Sequence, residues 1–305
     1  MRPSARRPSL SASLELLKPI TWFPPMWAFM CGAVSTGESL VNNSTVVVLG
    51  IVLAGPLVCA MSQAINDWHD RHVDAINEPD RPIPSGRVPG RWGLYIAVLW
   101  SVLSLMLASY LGEWALAATV LGLFLAWAYS APPLRLKLNG WTGNAACAIS
   151  YEGIAWFTGA AILVGGLPDW RILALAGLYS AGAHGIMTLN DFKSISGDRQ
   201  MGIRTIPVQL GPHGAARLAS VVMTLPQCAV IALLWHWGLN WHAIIVGALL
   251  ALQVGLMIKF LMNRVELLLQ PRRNAALYNA TGTTLYVIGM LTSAIGIGSI
   301  LGANG

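Results

Sequence analysis

Charged side chains are scarce in this sequence, and their scarcity excludes most classes of soluble protein. Only 10% of the 305 residues are charged, whereas 55% are hydrophobic. Soluble domains carry about 25% charged residues, so a soluble protein of this composition would lack the polar surface needed to cover its core. The composition therefore predicts an integral membrane protein.

Cysteine is also rare, and its placement argues against a disulfide framework or a cysteine-ligated metal centre. The cysteines all fall inside apolar stretches without the close spacing typical of such sites. They are Cys31, Cys59, Cys147 and Cys228. We assign them to packing.

A cleavable signal pattern is missing from the start of the sequence. Residues 1–18 carry basic residues among serines and prolines, without the short apolar block and cleavage site of a signal peptide. We expect residues 1–18 to form a cytoplasmic tail and residues 19–305 to form a single transmembrane domain.

Long apolar stretches make up most of the chain, and most are near the ~20 residues that a helix needs to cross a bilayer. Nine can be marked, at 19–36, 45–66, 92–111, 114–131, 143–165, 170–190, 217–237, 242–262 and 279–301. Only Gly112 and Glu113 separate the third stretch from the fourth, which predicts a tight helical hairpin. The fold expected is all-α, with nine transmembrane helices.

Basic residues indicate the orientation, because Lys and Arg accumulate in short cytoplasmic loops. With a cytoplasmic N-terminus, every basic residue except Arg171 falls on the cytoplasmic side. These residues are Arg2, Arg6, Arg7, Lys18, Arg71, Arg81, Arg87, Arg91, Arg135, Lys137, Lys193, Arg199, Arg204, Arg217, Lys259, Arg264, Arg272 and Arg273. The net charge of +6 then follows from topology and indicates attraction to anionic membrane lipids rather than to nucleic acid.

An internal repeat places similar motifs in the two halves of the chain. Asn66-Asp67 at the end of the second apolar stretch recurs as Asn190-Asp191 at the end of the sixth. Arg81-Pro82-Ile83-Pro84 recurs in similar form as Arg204-Thr205-Ile206-Pro207. Each half therefore presents a helix end, an acidic segment, an arginine and an Ile-Pro turn to one side of the membrane. Duplication alone indicates ancestry.

The acidic content of the repeat indicates chemistry. Asp67, Asp70 and Asp74 fall within about 60° of one helical face, and the second copy contains Asp191 and Asp198. Adjacent carboxylates repel one another unless a cation compensates. Mg²⁺ is typically held by one or two carboxylates together with substrate phosphate oxygens. An alternative is a solvated loop balanced by arginines, but placement at the ends of two apolar helices favours a site for Mg²⁺ and a diphosphate.

These motifs resemble those of a known family. Residues 66–74 match the NDxxDxxxD motif of the UbiA prenyltransferase superfamily, and the match continues to Gly86. Residues 190–199 are similar to the NDFKSxxGDR motif of its chlorophyll and bacteriochlorophyll synthase branch, although many other superfamily members have an acid where Ser194 stands. The segments 18–27 and 151–157 resemble the bacteriochlorophyll side of that branch. The resemblance covers essentially the whole chain and is sharpest in residues 66–90 and 190–211.

The resemblance implies a UbiA-type fold, in which nine helices surround a central cavity with a polar mouth toward the cytoplasm and an opening to the membrane. It implies Mg²⁺-dependent esterification of the bacteriochlorophyllide a propionate with geranylgeranyl or phytyl diphosphate, without a general base. The expected location is the inner or intracytoplasmic photosynthetic membrane of a bacterium. Pigment-synthesis or photosystem-assembly proteins are candidate partners.

The resemblance also assigns roles to individual residues. The expected Mg²⁺ ligands are Asn66, Asp70, Asp74, Asp191 and Asp198, and the acids expected to take part in catalysis are Asp67, Asp70, Asp191 and Asp198. The candidate substrate-binding residues are Arg81, Arg135, Lys137, Lys193, Arg199, Arg204, His184 and Glu152. His184 is a candidate axial ligand of the pigment magnesium or an interior histidine, and Glu152 has either a substrate or a structural role. His69 and His72 are further candidates for diphosphate contact.

Other functions remain open from the sequence. The chain could make chlorophyll itself, a prenylquinone precursor or a farnesylated haem, although the NDFKS string argues against the last two. A transporter can also combine many spans, a repeat and acids, but its charges are expected near the bilayer midplane rather than at helix ends. A scaffold protein without turnover would have no need of intact acidic motifs.

Overall fold

The computed structural model describes residues 7–303 except for the side chains of Asn77, Arg264 and Glu266. Arg2 and Arg6, two of the basic residues predicted on the cytoplasmic side, lie outside the described residues. Residues 304–305 of the predicted domain also lie outside them. The α-helices are α1 (Leu10–Leu17), α2 (Phe23–Ser35), α3 (Ser44–Val52), α4 (Ala60–Asn77), α5 (Trp92–Leu111), α6 (Glu113–Ser130), α7 (Gly140–Ala148), α8 (Ala155–Val164), α9 (Trp170–Asn190), α10 (Ile195–Gln200), α11 (Ile206–His236), α12 (Asn240–Met257), α13 (Arg264–Leu269) and α14 (Pro271–Leu301).

The all-α membrane fold predicted from composition is confirmed. Within the described residues, 8 helical stretches are long and apolar enough to span a membrane. The predicted stretch 19–36 forms a 3₁₀ turn at Pro19–Thr21 followed by the 13-residue helix α2, which is shorter than the ~20 residues of a full span. The count of nine spans therefore stays a prediction. The cytoplasmic N-terminus stays a prediction as well, because helix length and composition do not report orientation.

The hairpin predicted around Gly112 is present. Helix α5 ends at Leu111 and α6 begins at Glu113. Gly112 makes the reversal with a φ of 117°, which a residue with a Cβ atom rarely adopts. A single glycine thus separates two membrane-spanning helices.

Three α-helices continue into wider π-helical segments, at Leu53–Cys59, Ile149–Ile154 and Ile258–Met262. The first contains Pro56, which lacks the N–H that an α-helix requires. Such segments often occur at functional sites because they redirect side chains. The first joins α3 to α4, and the second joins α7 to α8.

Helices α2 and α8 pack backbone to backbone through two glycines. A Cβ atom on Gly32 would lie 2.0 Å from the Trp156 carbonyl oxygen, and one on Gly159 would lie 2.0 Å from the Phe29 carbonyl oxygen. Small residues permit this close approach between membrane helices.

Two hydrophobic cores hold the helices that carry the acidic motifs. The first surrounds α4 and includes Met61 and Ile65. The second surrounds α9 and includes Tyr179, Met223 and Tyr286, with the Tyr179 ring 5.3 Å from that of Tyr286. Each motif helix is therefore fixed by its own core, and the ends of both helices open onto one cavity.

Candidate active site

A cavity of about 860 Å³ lies where α4 and α9 end. Helix α4 contributes Asn66, Asp70 and Asp74, and the chain after α9 contributes Asp191 and Asp198. The structure thus brings together all five residues predicted to bind Mg²⁺. Their role as ligands stays a prediction.

Spacing on α4 explains which acids face the cavity. Asn66, Asp70 and Asp74 are four residues apart and form one stripe along the helix. Asp67 lies at the edge of this stripe and is only 1% exposed. Asp67 is not among the residues described as lining the cavity, and its side chain points toward Lys18.

Asp70 is paired with a lysine from the loop after α6. The Lys137 Nζ lies 2.5 Å from the Asp70 Oδ1, and the two side chains are 10% and 22% exposed. Burial lowers the pKa of the Lys137 ammonium below its usual value, although Asp70 opposes that shift. The pair places one positive and one negative group side by side on the cavity wall.

Asp74 is paired with an arginine from the loop after α4. Helix α4 ends at Asn77, two residues before Pro79. The chain then turns back so that the Arg81 Nη1 donates to the Asp74 Oδ2 at 2.9 Å and its Nε donates to Glu78 at 2.8 Å. The Arg81 guanidinium thereby lines the cavity.

The second motif does not repeat the continuous helix of the first. Helix α9 ends at Asn190, a 3₁₀ turn covers Asp191–Lys193, and α10 begins at Ile195. The Ser194 Oγ lies 2.7 Å from the Asp198 Oδ2 and 3.1 Å from the Asp191 carbonyl oxygen, and its single proton can donate to either acceptor. A serine hydroxyl that bonds locally competes with helical backbone hydrogen bonds, which accounts for the break.

Both acids of the second motif are held by neutral donors. The Asn144 amide donates to the Asp191 Oδ2 at 3.2 Å, and the Thr205 Oγ1 donates to the Asp198 Oδ2 at 3.2 Å. Burial raises the pKa of the Asp198 carboxyl, while hydrogen bonds from Ser194 and Thr205 act in the opposite direction. In contrast to Asp70 and Asp74, these carboxylates have no salt bridge within the described part of the chain.

The predicted cations divide into two groups. Those that line the cavity are Arg81, Arg135, Lys137 and Lys193. Arg199 and Arg204 are exposed and fall outside the lining as described. Arg204 instead joins two loops through its backbone, since its N–H donates to the Leu138 carbonyl oxygen at 2.9 Å. The two arginines of the repeat, Arg81 and Arg204, therefore occupy different environments.

The remaining predicted residues lie away from the described cavity wall. The His184 ring packs against Trp141, with centroids 6.0 Å apart. Glu152 is 6% exposed within the second π-helical segment, and its Oε2 lacks a hydrogen-bond partner among the described residues. His69 is partly buried and His72 is exposed. The structure thus leaves the roles of these four residues as predictions.

The polar cavity borders apolar space deeper between the helices. A cavity of about 170 Å³ shares Asn66 and Tyr129 with it. This cavity in turn shares Ala126 and Tyr151 with an apolar cavity of about 60 Å³. The Gln63 amide donates to the Tyr151 hydroxyl at 3.0 Å. One polar compartment therefore adjoins a series of smaller, increasingly apolar ones.

Sequence reasoning missed the residues that support the acids. Lys18, Asn144 and Thr205 each contact an acidic side chain. A lone asparagine within an apolar stretch is a usable signal, because an uncompensated amide is unfavourable there. Lys18 and Thr205 carry no comparable signal, since each reaches its partner through a turn between elements.

The donor set fits Mg²⁺. The cavity offers carboxylate and amide oxygens, which are the ligands that Mg²⁺ prefers, and the ion commonly takes its remaining ligands from water and phosphate. No cluster of three or more His, Cys, Asp or Glu side chains is preassembled among the described residues. The arrangement is therefore suited to an ion that arrives with a diphosphate.

Comparison with known proteins gives matches over nearly the whole chain. The profile of the UbiA prenyltransferase family matches residues 21–279. The chain is 57% identical over 290 residues to the bacteriochlorophyll synthase 33 kDa chain of Cereibacter sphaeroides, covering 95% of this chain and 94% of the relative. It is 46% identical to the bacteriochlorophyll synthase 34 kDa chain of Chloroflexus aurantiacus, covering 97% and 93%. It is 35% identical to the chloroplastic chlorophyll synthase of Arabidopsis thaliana, covering 92% and 73%.

Solved structures show the same fold. A structure described as a digeranylgeranylglyceryl phosphate synthase has a TM-score of 0.71 at 20% identity and covers 95% of this chain and 99% of that one. A UbiA homolog from Archaeoglobus fulgidus bound to GPP and Mg²⁺ has a TM-score of 0.67 at 20% identity and covers 90% and 99%.

Proposed function

The chain belongs to the UbiA prenyltransferase family, and from this premise we propose that it esterifies the propionate of bacteriochlorophyllide a with a C20 isoprenoid, geranylgeranyl or phytyl, taken from its diphosphate. Relatives at 57% and 46% identity are named bacteriochlorophyll synthases, while the chloroplastic chlorophyll synthases are more distant. The observation that carries the proposal is a polar cavity that joins two acidic segments and five cations, Arg272 being the fifth, and that adjoins smaller apolar cavities.

The cavity matches the shape of an amphiphilic donor. The diphosphate would lie among Arg81, Arg135, Lys137 and Lys193, which line the polar compartment. The isoprenoid tail would pass Tyr129 into the apolar cavities between the helices. Apolar burial and charge pairing would then hold opposite ends of the same molecule.

The acids of both motifs would hold the metal. Asn66, Asp70 and Asp74 would bind it from α4, and Asp191 and Asp198 from the second motif, directly or through water. When bound there, Mg²⁺ supplies positive charge that stabilises the departing diphosphate. The GPP and Mg²⁺ bound to the Archaeoglobus fulgidus homolog support this part of the proposal.

The bond changes are an alkyl transfer to oxygen. The bond between C1 of the isoprenoid and the diphosphate oxygen breaks, and its electron pair leaves with the diphosphate. A propionate oxygen of the pigment forms the new bond to C1. Guanidinium and ammonium groups on the cavity wall stabilise the negative charge that develops on the diphosphate.

The acceptor requires no general base from the protein. A propionate carboxyl is ionised at neutral pH, since free carboxyls titrate near ~4. The carboxylates on the cavity wall are therefore available for metal and cation binding. Because the propionate is already ionised, neither acidic motif needs a neighbouring residue that accepts a proton.

The helical structure and its neighbours indicate an integral membrane protein. We further place the mouth of the active site toward the cytoplasm of an inner or intracytoplasmic photosynthetic membrane. The basic loops predicted on that side support this orientation. A pigment product this apolar would pass from the site to other pigment-synthesis or photosystem-assembly proteins or into the bilayer.

Esterification assays with a panel of acceptors test the proposal. Purified protein in detergent would receive Mg²⁺, geranylgeranyl or phytyl diphosphate, and one of bacteriochlorophyllide a, chlorophyllide a or 4-hydroxybenzoate. We expect ester formation with bacteriochlorophyllide a to be fastest, and we expect Asp70→Asn and Asp191→Asn to abolish it. Faster reaction of chlorophyllide a or 4-hydroxybenzoate would contradict the proposed acceptor, and absence of turnover with every acceptor would contradict prenyl transfer.

A further inference from the structure

An ion pair between a partly exposed lysine and a buried aspartate connects the N-terminal segment to the first acidic motif. The Lys18 Nζ lies 2.6 Å from the Asp67 Oδ1, and the two side chains are 24% and 2% exposed. The Asp67 Oδ2 lacks a hydrogen-bond partner among the described residues. The pair lies beside the active site. A catalytic part for Asp67 was predicted from the sequence, but Asp67 faces Lys18 and is not among the residues described as lining the cavity, and the transfer proposed above uses neither residue.

The backbone of Lys18 adopts a conformation that lysine disfavours. Its φ is 47° and its ψ is 68°, in the left-handed region where a Cβ atom crowds the backbone. The Thr21 N–H and hydroxyl hold this turn by donating to the Lys18 carbonyl oxygen at 2.9 and 2.8 Å. Glycine would fit the backbone better, so the lysine at this position is best explained by its side chain.

A second basic residue shares this conformation. Among the described residues other than glycine, positive φ occurs at Lys18 and at Arg135. Arg135 lines the active-site cavity. Strained backbone tends to be retained at functional sites, and here both positions carry cations near the acidic helix α4.

Arg81 lies between Asp67 and Asp74. Its Nη1 is 2.9 Å from the Asp74 Oδ2 and 3.6 Å from the Asp67 Oδ1. The closer contact keeps the guanidinium with Asp74, on the cavity wall. Lys18 is closer to Asp67 than Arg81 is, at 2.6 Å, and supplies the charge that neutralises this carboxylate.

We propose that Lys18 is a positioning residue that neutralises Asp67 and thereby keeps Arg81 directed into the cavity for the donor diphosphate. This inference rests on the proposed function. Without Lys18, Arg81 would be the one remaining ion-pair partner of the buried Asp67 carboxylate among the described residues, and an uncompensated buried charge is strongly unfavourable. Arg81 would move toward Asp67 and leave the cavity wall.

Charge-neutralising variants test this arrangement. Lys18→Met is expected to raise the KM for geranylgeranyl diphosphate about 10- to 100-fold, which is the factor associated with losing a hydrogen bond to a charged group. Lys18→Arg should retain most of the affinity. Asp67→Asn in the Lys18→Met background should restore the KM to within a few-fold of wild type, because Arg81 is no longer drawn away from the cavity.

Lys18→Gly separates positioning from folding. Glycine relieves the left-handed backbone but removes the ammonium, so the variant should fold with a raised donor KM. A wild-type KM in folded Lys18→Met and Lys18→Gly would overturn the proposal. A double variant as impaired as Lys18→Met would also overturn it. Loss of turnover in Asp67→Asn alone would show that Asp67 acts in catalysis rather than through Arg81.

Chemical modification of Arg81 gives a readout that does not depend on turnover. The rate of phenylglyoxal labelling at Arg81, measured by peptide mass spectrometry, should fall in Lys18→Met and recover in the double variant with Asp67→Asn. Unchanged labelling would contradict the proposed movement of Arg81. If the wild-type protein transferred no isoprenoid to any acceptor, the proposed function would fail, while the labelling pattern would still decide whether Lys18 positions Arg81.

Discussion

Replacing Lys137 with methionine is expected to weaken donor binding without unfolding the protein. Lys137 lies 2.5 Å from Asp70 on the cavity wall, and only 10% of its side chain is exposed. Methionine has a similar length and no charge. The substitution removes a cation from the diphosphate site and leaves Asp70 free to bind Mg²⁺, so the loss of the ammonium is what weakens donor binding.

The size of the effect follows from these contacts. A hydrogen bond to a charged group contributes about 1.5–3 kcal/mol, and about 1.4 kcal/mol corresponds to a factor of ten in affinity. We therefore expect the KM for geranylgeranyl diphosphate to rise about 10- to 100-fold.

Steady-state kinetics at saturating pigment measure this change. Lys259→Met is the matched control, because Lys259 is exposed and lies over the Phe260 ring, 5.1 Å from its centroid, away from the cavity lining. The control should stay within about twofold of wild type, as surface substitutions usually do. An unchanged donor KM in Lys137→Met, or an equal rise in both variants, would refute a specific role for Lys137 in binding diphosphate.

The pH profile provides a second check on Lys137. Burial lowers the pKa of its ammonium, so its positive charge is lost as pH rises, and at a lower pH than for an exposed lysine. The profile of kcat/KM for the donor should therefore fall on the alkaline side, since kcat/KM reports ionisations of the free enzyme. Lys137→Arg should remove that fall because a guanidinium stays charged. An identical alkaline limb in both proteins would argue against this assignment.

Three further substitutions or treatments have defined outcomes. Chelation of divalent cations with EDTA should stop ester formation and excess Mg²⁺ should restore it; full activity after chelation, checked by metal analysis, would contradict a metal-dependent mechanism. Ala126→Phe should raise the KM for a C20 donor while sparing dimethylallyl diphosphate, because Ala126 borders both apolar cavities; equal effects on the two donors would contradict this path for the tail. Asn144→Ala should lower kcat/KM about 10- to 100-fold, because its amide donates to the Asp191 carboxylate and a hydrogen bond to a charged group contributes about 1.5–3 kcal/mol. Wild-type kinetics would show that this bond does not orient the carboxylate.

Much of the fold was predictable because membrane helices follow from composition. The reversal at Gly112 depends on local chemistry and was predicted at the correct position. The first apolar stretch was harder to assess, because Pro19 begins a 3₁₀ turn and shortens α2 to 13 residues. Hydropathy reports apolar content and is insensitive to such a turn.

The acidic residues of the site were predictable, whereas their partners were not. Helical periodicity grouped Asp67 with Asp70 and Asp74, but periodicity alone does not tell which edge of the stripe faces the cavity. That choice is made by packing, which turns Asp67 toward Lys18. The pairing of Asp70 with Lys137 joins residues far apart in sequence, and spacing carries no information about such contacts.

The repeat was informative about placement and less so about side chains. Both acidic motifs reach one cavity, as duplication of a helix end suggests. The second copy nevertheless breaks at Ser194, and its Arg204 joins loops through the backbone rather than lining the cavity. Equivalent positions in the two copies of a repeat can therefore differ in helix geometry and in side-chain environment.

The most direct test of the account is whether the two acidic motifs bind one donor together. Equilibrium binding of radiolabelled geranylgeranyl diphosphate would be measured with and without Mg²⁺ for the wild-type protein, Asp70→Asn and Asp191→Asn, with Glu38→Gln as an exposed control. We predict Mg²⁺-dependent binding that either motif variant weakens strongly and the control leaves unchanged. Donor binding that is independent of Mg²⁺, or that survives loss of either aspartate in a folded protein, would contradict a shared diphosphate site.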